Sequence, residues 1–174
     1  NLKDRTVLVL GAGETAKLTA CCFKRSGINK IIISNRSEKR GKYLAESISG
    51  DYINMHHIND ALCECDIIVT ATHAGDYLIK RDQIEKIMKK RKNTLLLFDI
   101  STPRNMEPAI RNIDNVILYD IDHLDALASK NSKDINKALA KAEIIIQSYS
   151  LDVMKWFNSL RLQEARLVPL EEGA

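Results

Sequence analysis

Thr6-Val-Leu-Val-Leu10 runs without a break into Gly11-Ala-Gly13-Glu-Thr-Ala16. A short apolar, β-branched run stopped by glycine predicts a strand buried on both faces, as in a parallel sheet. The G-x-G-x-x-A that follows opens a helix over 14–26, which Gly27 ends. In a strand–turn–helix of this kind the first glycine permits the tight turn. The second removes a side chain so that backbone N–H groups can approach a pyrophosphate, and the small third residue lets helix and strand pack closely. The helix N-terminus adds partial positive charge. Gly11, Gly13, Glu14, Thr15 and Ala16 are therefore the expected cradle for a dinucleotide phosphate.

The same alternation continues outward. Strands are predicted over 30–34, 51–56, 66–70, 94–100 and 116–120. Helices are predicted over 38–49, with Ser37 as N-cap and Gly50 as stop, over 59–64, and over 81–91 as a basic amphipathic segment. This β-α-β-α rhythm predicts an α/β fold, a Rossmann-like doubly wound parallel sheet with helices on both faces. After residue 122 no further strand is expected. Apolar residues fall instead at Ile135, Leu139, Ala142, Ile146, Tyr149, Val153, Trp156 and Leu160, in alternating steps of four and three. That is a heptad seam, and no Gly or Pro interrupts 124–168. A helix of ~40 residues would rise ~60 Å, longer than such a domain is wide. The expected organisation is a nucleotide-binding domain over 1–122 and a long C-terminal helix with its tail over 123–174. That helix would pair with a second chain; packing back along its own sheet is the alternative.

The tip of the second strand decides which dinucleotide. NAD-binding domains usually place a carboxylate there for the ribose 2′-hydroxyl. This chain has Ser34-Asn35-Arg36-Ser37 with Lys39 and Arg40 close behind. A guanidinium pairs bidentately with a 2′-phosphate, which a carboxylate would repel. Arg36 and Arg40 are placed to converge on one phosphate, so NADPH is expected over NADH. Thr70, Ala71 and Thr72 end the fourth predicted strand, where small residues leave room for the nicotinamide ribose. The loop from Asp99 to Arg104 ends the fifth, stiffened by Pro103 and Pro108.

The chain has 174 residues, 45% of them hydrophobic, enough for a core. Its balance of 26 basic against 23 acidic residues, +3, is weak support for a nucleic-acid surface. No apolar run approaches the ~20 residues of a membrane span, and the N-terminus does not read as a signal peptide. Four cysteines suggest reduced thiols in a cytoplasmic protein. Cys21 and Cys22 are expected in the helix core. Cys63 and Cys65 fall at the wrong end of the sheet for a nucleophile, and with His56 and His57 they match no strong zinc spacing. No catalytic residue and no metal site is expected. His73 is read as a solvated loop residue or a contact on the nicotinamide side. A start at Asn1 suggests a piece of a longer protein.

GAGETAKL (11–18), SNRS with Arg40, TATHAG (70–75), FDISTPRN (98–105) and YDIDHL (119–124) together resemble the NADPH-binding domain of the glutamyl-tRNA reductase family. The resemblance covers roughly 3–163. GAGETA and SNRS alone would also resemble shikimate dehydrogenase; the two later motifs are more particular to the reductase. What it implies is an enzyme of tetrapyrrole (porphyrin) biosynthesis. In it a separate N-terminal domain binds glutamyl-tRNA and supplies a cysteine nucleophile, this domain supplies the NADPH site, and a spinal helix forms a homodimer. The isolated chain would then lack reductase activity. The alternatives are a shikimate dehydrogenase-like NADP domain and a non-catalytic NADP-binding dimerisation module.

Overall fold

The structure, a computed structural model, describes residues 2–129. Six strands form one all-parallel sheet: β1 Thr6–Leu10, β2 Lys30–Ser34, β3 Asp51–Tyr52, β4 Ile67–Thr70, β5 Leu95–Asp99 and β6 Val116–Asp120. Their order across the sheet is β3-β2-β1-β4-β5-β6. The helices are α1 Glu14–Arg25, α2 Glu38–Ser47, α3 Ile58–Glu64 and α4 Arg81–Met88. A further helix, α5, begins at residue 121 and is described to 129. Residues Asn1–Leu124 form one compact unit, and the chain from Asp125 on belongs to another. The heptad seam from Ile135 to Leu160 lies outside the described residues.

Alternation along β1 builds both cores. Val7 and Val9 point to the face covered by α1 and α2, beside Ala16, Ala20, Leu44 and Ala45. Leu8 and Leu10 point to the other, beside Leu62, Ile84, Ile87 and Ile110. A strand buried on both faces cannot alternate polar and apolar residues, which is why its sequence is continuously apolar. Further along the sheet the burial is one-sided: Leu96 and Phe98 are only half buried, and Ile117 is exposed.

Three expectations are corrected. The third strand ends at Tyr52, because the Asn54 side chain accepts the His56 N–H at 3.0 Å and turns the chain into a 3-10 helix, Met55–His57. Gly27 ends α1 with φ +88, but α2 uses Ser49, φ +53, as its left-handed residue. Gly50 follows and donates to Ala45 O at 2.8 Å. Glycine is needed there for packing, since a Cβ would stand 2.7 Å from Ile31 O of β2. The basic helix stops at Met88, and Arg91 turns back to donate to the Cys65 carbonyl at 2.6 Å.

Candidate functional site

Between β1 and β4 the strand order reverses direction, and in open α/β sheets ligands bind outside the strand C-termini at that point. The glycine turn sits there. Gly11 has φ +127, and a Cβ on it would lie 2.9 Å from the carbonyl carbon of Ala71 and closer still to its oxygen. The turn is therefore pressed against the end of β4 in a conformation only glycine accepts. Ala16 is fully buried, 3.6 Å from where that Cβ would be. Gly13 differs: nothing lies within 4 Å of a Cβ placed on it. Among the described residues, no atom beyond the turn itself uses the space that its missing side chain leaves. Gly13 is also the α1 N-cap and offers no side-chain acceptor, so the first turn's N–H groups are left to another partner.

A cavity of about 470 Å³ opens beside this turn, lined by Gly11, Ser34, Asn35, Arg36, Ser37 and Arg40 on one side. Thr72, His73, Asn54, Met55 and His56 line it too. A second pocket, about 200 Å³, surrounds the turn and includes Gly13, Glu14, Thr15, Ala71 and Thr72. The structure thus brings twelve of the thirteen expected residues to these walls or, for Ala16, directly beneath them. Thr70 is placed otherwise. It is fully buried and its hydroxyl donates to Asp99 Oδ1 at 2.7 Å, joining β4 to β5.

The electrostatics of the cleft favour an anion. Among the described residues the Arg36 and Arg40 side chains have no hydrogen-bond or ion-pair partner. Ser34 Oγ is buried without a partner. Ser37 precedes α2 but does not cap it with its side chain; Asn35 Nδ2 donates to Ser37 O at 2.9 Å and holds the turn. Glu38 faces the cavity, but its carboxylate is 2.7 Å from Lys42 Nζ. An open glycine turn, guanidiniums unpaired among the described residues and an orphaned hydroxyl fit an anionic dinucleotide.

The neighbouring loops are held rigidly. Asp99, 2% exposed, accepts from Thr70 Oγ1, from Ser101 N, and through Oδ2 from Asn105 N at 2.9 Å and Met106 N at 2.8 Å. Asn105 Nδ2 donates to Ala74 O at 3.0 Å, and Ser101 Oγ accepts from Thr72 N at 3.2 Å. The loops after β4 and β5 are one tied unit.

A second centre lies at the end of β6. Asp120 is 2.5 Å from Arg111 Nη2, 3.2 Å from Arg104 Nη2 and 2.5 Å from His123 Nδ1. It also accepts the His123 N–H, at 3.1 Å. Burial works against its charge, but the His123 ring and backbone bonds, then Arg111 and Arg104, hold its carboxyl well below the usual carboxylate range.

The cysteines are not part of the cleft. Cys65 is buried, and burial first of all pushes its thiol up to about 12. Cys22 is exposed beside Arg25 rather than in the core, and Cys21 is half buried. No group of three His, Cys, Asp or Glu able to hold a metal occurs among the described residues. No described helix is long and apolar enough to cross a membrane. Sequence reasoning missed Asn54, Met55 and His56, which reach the cleft only because β3 stops early.

Strand order, glycine turn and switch-point cleft together define a Rossmann-type α/β domain. The chain belongs to the shikimate / quinate 5-dehydrogenase family, whose model matches residues 1–127. It is 38% identical over 160 residues to the glutamyl-tRNA reductase of Heliobacterium mobile, covering 91% of this chain and 36% of that protein. The chain thus spans about a third of the length of the curated relatives it matches. The solved glutamyl-tRNA reductase from Methanopyrus kandleri superposes with TM-score 0.81 at 30% identity, over 94% of this chain and 41% of that one. The nucleotide binding domain of the Thermoplasma volcanium glutamyl-tRNA reductase shares the fold, with TM-score 0.61 and 21% identity over 76% of this chain and 86% of that one.

Proposed function

We propose that this chain is the NADPH-binding domain of a glutamyl-tRNA reductase, a cytoplasmic enzyme of tetrapyrrole biosynthesis. The observation that carries the reading is the pair Arg36 and Arg40, without a partner among the described residues and beside an open glycine turn. The likeness to the H. mobile and M. kandleri reductases over more than nine-tenths of the chain supports it.

When bound, NADPH supplies the hydride that reduces an activated glutamyl group to glutamate-1-semialdehyde. Gly11, Gly13 and the N-terminus of α1, with Glu14, Thr15 and Ala16, receive the pyrophosphate. Arg36 and Arg40 take the 2′-phosphate; Ser34, Asn35 and Ser37 shape the ribose side. Ala71 and Thr72 border the nicotinamide ribose, and Thr70 positions them through Asp99. The resemblance to the reductase family implies that the cysteine attacking the aminoacyl ester and releasing tRNA would come from a separate N-terminal catalytic domain, and the four cysteines of this chain stand away from the cleft. A homodimer through the helix after residue 122 completes the proposal.

Titration calorimetry on the chain tests it. NADPH is expected to bind at least about tenfold tighter than NADH, the weight of one charge-assisted phosphate contact. Equal affinities overturn it.

A further inference from the structure

The chain has four histidines, and the structure sorts them by what surrounds them. His57 Nδ1 faces Asp60 at 3.8 Å, and His123 Nδ1 lies 2.5 Å from Asp120; neither lines the cleft. His56 and His73 do line it, and among the described residues their rings have no hydrogen-bond or ion-pair partner. They come from separate elements, the 3-10 turn after β3 and the loop after β4. Arg36 and Arg40 reach the same cavity from the turn after β2 and from α2. The other charged group on these walls is Glu38, engaged by Lys42, and Glu14 joins at the glycine turn, where Arg40 and His73 also stand. Two guanidiniums and two protonatable rings gathered from four elements thus face two carboxylates, of which Glu38 is already engaged by Lys42, and an anion set among them relieves their mutual repulsion.

We propose that His56 and His73 are anion-binding residues of this cleft and that their protonation strengthens its grip on the 2′-phosphate of the dinucleotide. The proposal rests on the NADPH reading above. An imidazole ordinarily changes charge near neutrality, and a phosphomonoester takes its second negative charge at about pH 6. Around and just above that value imidazolium and phosphate dianion coexist. The cleft's preference for a 2′-phosphate therefore rises as the medium acidifies, until the phosphate itself takes up a proton.

The test is NADP⁺ and NAD⁺ binding to the full chain at about pH 6 and about pH 8, for the wild type and for the double variant His56→Asn/His73→Asn. Both rings are exposed, so matching thermal melts are expected and establish that the variant folds. Phosphate protonation is common to both proteins and cancels in their ratio. The wild type's advantage over the variant for NADP⁺ should grow at least about fivefold from the higher pH to the lower, with no such growth for NAD⁺. An advantage that is the same at both pH values, with NADP⁺ still preferred over NAD⁺, overturns this inference alone. Equal NADP⁺ and NAD⁺ affinities in the wild type overturn the cofactor reading, and this inference with it.

Discussion

Two pairs of arginines stand near the C-terminal edge of one sheet in opposite condition. Arg104 and Arg111 converge on Asp120, which is 4% exposed, pairs with both and accepts from Arg111 and from the His123 N–H. Arg36 and Arg40 converge on nothing that the described residues supply. The first pair is satisfied by the fold and reads as architecture: it fastens the loop after β5 and the 3-10 turn Pro108–Asn112 to the point where β6 gives way to α5. The second pair leaves its charge exposed to solvent, a state with no folding benefit. Motif strength alone does not separate the two clusters; what separates them is whether the counter-charge is already present.

The comparison breaks most visibly at Asp120. Asp120→Asn keeps the shape but removes the charge that two guanidiniums and an imidazole share. Breaking a fully buried pair costs ~3–5 kcal/mol; because the arginines are 42% and 35% exposed, about 2–4 kcal/mol is expected. Urea unfolding should show this loss while the preference for NADPH over NADH is kept. Acid sharpens the point. The folded carboxyl is held below its ordinary 3.8, so the unfolded chain binds the proton first. Its stabilisation is complete above that ordinary value and is lost as pH falls through the folded value. In unfolding titrations below about pH 4, the variant should therefore lose stability with pH less steeply than the wild type.

Arg36→Ala makes the opposite cut. It removes no hydrogen bond or ion pair among the described residues, so the melting temperature should stay where it is. Losing a charge-assisted contact of ~1.5–3 kcal/mol should weaken NADPH roughly ten- to a hundredfold and leave NADH almost unchanged. A fall in stability with unchanged cofactor affinity would place Arg36 with the architectural pair instead.

How much of this was legible in the sequence follows the range of the interactions. β1 and β2 are legible to the residue because burial on both faces writes itself as unbroken apolar runs, and β6 because its apolar run is short and bounded although Ile117 is exposed. The glycine turn and Arg36/Arg40 were legible because every member falls within one strand–turn–helix. The Asp99 hub was not, since Thr70 stands 29 positions away and Asn105 belongs to a loop that shows no periodicity. His56 was hidden behind an overlong third strand: Ile53 looks like a strand residue, but the Asn54 side chain offers the backbone a turn instead. At the end of α2 the nearby glycine drew the helix stop to Gly50, whereas Ser49 takes the left-handed conformation and Gly50 is kept for its contact with β2.

The smallest effect probes whether the saturated pair is redundant. Arg104 is 42% exposed and divides its contact between Asp120 at 3.2 Å and the exposed Asp122 at 2.7 Å. Arg111 approaches Asp120 more closely, and the His123 ring and backbone N–H remain when Arg104 is lost. Arg104→Gln should therefore cost only about 0.5–1 kcal/mol, in the range of a surface ion pair, because Asp120 keeps a counter-charge and its other bonds. Combined with Asp120→Asn, it should add less than it costs alone, since its contact with Asp120 has already lost its charge and only the exposed pair with Asp122 is left to break. In the nucleotide cleft the same cycle run on Arg36 and Arg40 should leave stability flat and appear only in NADPH affinity. A double-mutant cycle by urea denaturation, with and without cofactor, measures both. A cost for Arg104→Gln as large as that for Asp120→Asn would mean that the cluster has no spare counter-charge and depends on every one of its members.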